Sequence, residues 1–121
     1  MSNANSAHPS FAVAFDRTIT TILTSHAYKA TSRAYRAAYR NLSYEYVLGH
    51  RLRNDARVHY QDAEIAYGET FRANKVVYEN ASSDDAKTKA VNLTCMVYVA
   101  MCAAGQRYNI LSETVMLLES E

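Results

Sequence analysis

Apolar side chains recur from residue 11 onward at the three- and four-residue spacing of a helix face. Phe11, Phe15, Ile19, Ile22 and Leu23 make the first run. The β-branched stretch TITTIL within it lowers helix propensity without breaking the period. Thr24-Ser25 offers a break, with Ser25 as the N-cap of whatever follows. Pro9-Ser10 reads as a helix start, so residues 1–9, polar and small, form a flexible arm ahead of it.

A second pattern is aromatic. HAYKATSRAYRAAYR, from His26 to Arg40, returns thirty-two residues later as VHYQDAEIAYGETFR. On a continuous helix Tyr28, Tyr35, Tyr39 and Tyr46 fall in one narrow stripe. Tyr60, Tyr67, Phe71 and Tyr78 repeat it with the same spacings of seven, four and seven. Lys29, Arg33, Arg36 and Arg40 form a basic edge beside the first stripe, and Ala27, Ala30, Ala34 and Ala37 form a small-residue face. The motif AYxxx[YF]R thus occurs twice. Internal duplication and heptad-like core patterning both produce such a coincidence, and the residues leave the two open.

Between residues 26 and 80 only Gly49 and Gly68 interrupt the helical pattern. The segment is either one long helix or a hairpin folding back near Leu48-Gly49-His50. Ala81-Ser82-Ser83-Asp84-Asp85 is the clearest boundary, with Ser and Asp placed to cap the next helix. That last helix runs from about Asp84 to Leu118, with Gly105 as a candidate bend. Its Val91–Ala104 segment is apolar on every side, the mark of a helix enclosed by neighbours.

Composition sharpens this picture. One Pro and three Gly in 121 residues are too few for a turn-rich β fold. The expected fold is all-α, a helical bundle or extended helical hairpin of long helices with a buried C-terminal helix, in a single domain over residues 10–121. Ten Tyr and no Trp are the other unusual entry. A Tyr ring buries apolar area but keeps a hydroxyl that needs water or a partner, which suits partly wet seams between helices or subunits.

Charge is uneven. Residues 24–60 carry seven Lys or Arg against two acids; residues 61–121 carry five against nine. This points to an anionic partner for the first part, to contact between copies, or to two halves facing each other within one chain. The basic edge interleaved with rings makes nucleic acid the alternative partner, with Arg51, Arg53 and Arg57 extending the patch.

Candidate chemistry is sparse. Asp55, His59 and Asp62 share a helix face at metal-ligand spacing, but no Glu-x-x-His or Cys-x-x-Cys pattern accompanies them. Cys95 and Cys102 stand two helical turns apart, too far for a disulfide within one helix, so two buried reduced thiols in a reducing compartment such as the cytoplasm are expected. The ten-residue run CMVYVAMCAA is about half of a membrane crossing, and MSNANSAHPSFAVAF has no secretory-signal pattern. With no P-loop, nucleophile elbow or dinucleotide fingerprint, neither an enzyme nor a cofactor is expected. The expected function is self-assembly, as a homo-oligomer or filament subunit, or binding of a protein partner through the two aromatic stripes.

Overall fold

The computed structural model describes residues 8–39 and 46–119, with all their side chains except those of residues 26, 31, 32, 35, 37–39, 46–49 and 117–119. The described residues form four helices: α1 (Phe11–Leu23), α2 (His26–Tyr39), α3 (Tyr46–Asn80) and α4 (Asp84–Glu119). The all-α expectation is met by two long helices packed on each other along their length, with α1 and α2 laid against them. At 1.5 Å per residue α3 and α4 are each about 50 Å long.

Serines set the helix starts. Ser10 Oγ accepts from the Val13 N–H at 3.3 Å, Ser25 Oγ from Tyr28 N–H at 3.3 Å, and Ser83 Oγ from Ala86 N–H at 3.1 Å. Each satisfies an N–H that the first turn leaves without an intrahelical partner. Asp84 and Asp85 add negative charge at the positive end of α4. At the end of α1, Thr24 Oγ1 donates to the Thr20 and Thr21 carbonyls at 2.9 and 3.1 Å, closing that helix where the sequence breaks.

The contacts fix the direction of each helix. Tyr78, Tyr67 and Tyr60 meet Lys87, Tyr98 and Tyr108 in turn, so α3 and α4 run antiparallel. Phe15 meets Tyr98, Tyr28 meets Gln106, and Arg36 meets Glu113, so α1 and α2 follow one another alongside α4 in its own direction. The core begins where Phe11, Phe15, Ile19, Tyr78, Ala90, Val91 and Cys95 come together, and Ala104, Ile110, Leu111 and Val115 carry burial along α4. Thr94, fully buried, donates its hydroxyl to the Ala90 carbonyl and accepts from Asn74 Nδ2, both at 2.9 Å, tying α3 to α4.

Several expectations need correction. The chain does not turn at Leu48-Gly49-His50, which lie inside α3. α2 closes at Tyr39 and α3 opens at Tyr46, and residues 40–45 lie outside the described ones. A glycine in a helix costs only about 1 kcal/mol relative to alanine, less than packing on a neighbour returns. Gly68 and Gly105 are likewise inside continuous helices. Because α2 ends at Tyr39, Tyr46 belongs to the next helix and does not extend the stripe of Tyr28.

The Val91–Ala104 segment is not enclosed either. α3 and α1 cover two of its sides, while Leu93, Met96 and Ala100 face outward. By length and composition α4 is apolar enough to cross a membrane. It is also the helix on which all three others pack, and a soluble core helix has the same composition.

Candidate interaction surfaces

Helical periodicity aims the second aromatic stripe inward. Phe71 lies with its ring centroid 5.1 Å from Phe11 and 5.6 Å from Phe15, both edge-on. Tyr67 reaches Phe15 at 6.0 Å and Tyr98 at 5.0 Å, and Tyr60 stacks on Tyr108 at 6.5 Å. Tyr78 is 6% exposed, and its hydroxyl donates to the Pro9 carbonyl at 2.7 Å. Lys87 sits 4.4 Å above that ring and donates to the Tyr78 carbonyl at 2.7 Å, which caps the end of α3. These four aromatics, expected at a subunit interface, line a seam between helices of one chain. His8, paired with Asp84 at 3.1 Å, and Pro9 are held against this end of the bundle, while residues 1–7 of the expected arm lie outside the described ones.

Of the first stripe, Tyr28 is half-buried against α4 and accepts a hydrogen bond from Gln106 Nε2 at 3.0 Å. Burial, then the hydrogen-bonded Cys102 thiol beside it, pushes its hydroxyl up to about 12. Tyr98 is raised first by the same Cys102 and then by burial; Tyr67 is raised chiefly by burial. All three therefore stay neutral at physiological pH, and the seam carries no phenolate. The side chains of Tyr35, Tyr39 and Tyr46 lie outside the described ones.

The two thiols differ. Cys95 is buried, and burial raises its pKa, whereas Cys102 is half-buried. Since the thiolate is the reactive form, Cys102 is expected to label with a thiol reagent well before Cys95 in the native protein. Both should react quickly in denaturant. Mass spectrometry of a timed labelling series reads the order, and native labelling of Cys95 first would misplace the core.

On the basic edge, Lys29 and Arg33 are exposed, Arg36 is paired with Glu113 at 2.9 Å, and Arg40 lies outside the described residues. Arg51 and Arg57 are exposed toward the same end of the bundle, and Arg53 donates to His50 Nδ1 at 3.1 Å. Asp55, His59 and Asp62 are all exposed, and among the described residues no group of three His, Cys, Asp or Glu side chains is placed to hold a metal ion.

Two outer faces remain. On α4, Lys89, Leu93, Met96, Ala100, Ala103 and Arg107 fall within about 80° of the helix surface. Met96 is 67% and Leu93 43% exposed, and Ile22 with Val99 completes a shallow apolar groove against Met96, Ala100 and Ala103. On α3, opposite its aromatic stripe, Asp55, Val58, Asp62, Ile65 and Glu69 fall within another 80° or so. Val58 is 51% and Ile65 62% exposed. Sequence reasoning missed this second face. Its signal is weak: valine and isoleucine seven apart between acids, beside a far stronger tyrosine pattern. No protein family, curated protein or solved structure matches the chain.

Proposed function

We propose that this chain is a non-enzymatic helical subunit that self-assembles or binds a protein partner, with the outer apolar face of α4 as the docking surface. The observation that carries this reading is Leu93, Met96 and Ala100 standing exposed on a helix that is apolar around its circumference but covered on only two sides. Burying an exposed Leu or Met is worth about 1.5–3 kcal/mol each. The small Ala100 and Ala103 would let another helix approach closely.

A second reading, nucleic-acid binding, is favoured by the exposed cations Lys29, Arg33, Arg51 and Arg57 at one end of the bundle. The Arg36–Glu113 pair weighs against it by occupying the middle of the basic edge.

Mass in solution, with and without single-stranded DNA at low salt, separates the two. For the wild type alone, mass is expected to rise with concentration, and Met96→Glu should abolish the rise while leaving helicity intact. A protein that stays monomeric alone, and gains mass only with DNA, would replace the first reading with the second.

A further inference from the structure

The outer strip of α4 carries its own complement. We infer that it packs on the same strip of a second copy, antiparallel about a two-fold axis at Met96–Val97, and so closes a dimer. This rests on the self-assembly reading above and names its partner and geometry.

Large and small side chains are segregated along the strip. Leu93 and Met96 stand exposed in its first half. One turn farther on, Ala100 and Ala103 floor a groove of about 420 Å³, with Ile22, Met96 and Val99 around it. A strip that is bulky at one end and hollow at the other fits a copy of itself run the opposite way. With the axis at Met96–Val97, Leu93 of each copy lies level with Ala100 of the other and enters its groove. The two Met96 side chains meet at the axis. Each copy thus supplies both the knob and the hole, and the alanines let the two helices approach closely.

Other arrangements fit worse. Parallel pairing sets Leu93 on Leu93 and Met96 on Met96, leaves both grooves empty, and brings Asp85 to Asp85 and Lys89 to Lys89. Moving the antiparallel axis to Tyr98 puts Lys89 level with Arg107, and like charges facing each other disfavour that register. At Met96–Val97 Lys89 lies level with Ala103 instead. Arg107 then falls near the level of Asp85 and keeps the interaction it makes within its own chain. The outer face of α3 is the poorer occupant, because it would press Asp62 and Glu69 against alanines, where a carboxylate finds no partner.

A two-fold contact uses up both strips, so association stops at two. The strip is short beside the area that a stable interface buries, so the dimer is expected to be reversible and to form at high protein concentration.

Engineered disulfides test the geometry. Met96→Cys should form a covalent dimer with itself under mild oxidation, since residue 96 meets itself at the axis. Leu93→Cys and Ala100→Cys should each fail alone. The two copies of either residue stand about 10 Å or more apart along the axis at 1.5 Å per residue, beyond the roughly 7 Å between Cα atoms that a disulfide spans. Their equimolar mixture should cross-link. All three positions are exposed, and circular dichroism confirms each fold. The wild type is the control, since Cys95 and Cys102 lie on the far side of α4 from the strip. Its sedimentation should show a dimer and nothing larger. If Leu93→Cys and Ala100→Cys each cross-link to themselves, or the wild type grows beyond two, the two-fold pairing is overturned and the assembly reading stands. A wild-type dimer in which neither Met96→Cys nor the mixture cross-links overturns it equally. A wild type that is monomeric at every concentration overturns both.

Discussion

Phe71→Ala is expected to lower the unfolding free energy by about 3–5 kcal/mol, as large aromatic truncations in packed sites do. The ring sits where α1 meets α3, within 5.1 Å of Phe11, 5.6 Å of Phe15 and 6.0 Å of Tyr67. Removing it opens a cavity beneath Phe11, itself 2% exposed, and strips an edge-to-face partner from three rings. Phe71 is partly exposed, which places the loss toward the lower end of that range. Urea unfolding followed by circular dichroism gives the number, and mass measured on the same sample shows whether assembly changes as well. A loss below about 1 kcal/mol, against that expected range, accompanied by loss of assembly, would return the second aromatic stripe to a subunit seam.

The punctuation of the chain was legible in its sequence. Ser10, Ser25 and Ser83 cap helices where serine before an amphipathic run says they should, because the unpaired N–H groups of a first turn need an acceptor wherever the helix lies. The tyrosine spacing also marked a real packing face. What periodicity could not reveal was the owner of the surface opposite that face. A seam between helices of one chain and a seam between copies ask the same of a Tyr: apolar area with a hydroxyl near an acceptor. Tyr78 meets that demand internally, on the Pro9 carbonyl.

Three other features were hidden for different reasons. Apolar character all around Val91–Ala104 shows what the helix can bury, yet the number of neighbours is set by how many helices the chain supplies, and three sets of contacts leave Met96 outside. Gly49 drew attention as a breaker because intrinsic propensity is a local quantity, while α3 runs through it without a break. The acidic and apolar stripe of α3 escaped because valines and isoleucines beside acids look like an ordinary solvated face until their exposure is known.

Gly105→Val is expected to destabilise the bundle by about 1–3 kcal/mol, the usual range for overpacking a filled site. A Cβ at this position would lie 3.0 Å from Tyr60 Cε1, 3.4 Å from Cδ1 and 3.5 Å from Cζ. The Tyr60 ring lies across Gly105 and stacks on Tyr108, one turn farther along α4, so α3 and α4 cross closely here because this glycine has no side chain. Gly105→Ala needs the ring to give by only a few tenths of an ångström, and the gain in helix propensity of about 1 kcal/mol offsets that strain. Alanine should therefore be nearly neutral where valine is not. Valine is itself a slightly better helix former than glycine, so the ring clash is the source of the expected loss, and a double-mutant cycle with Tyr60→Ala isolates it. If the clash is the cause, valine should cost nothing in the Tyr60→Ala background, where propensity alone slightly favours it over glycine. A cost that is the same in both backgrounds would show that the close approach of Tyr60 to Gly105 is not what holds the two long helices at their spacing.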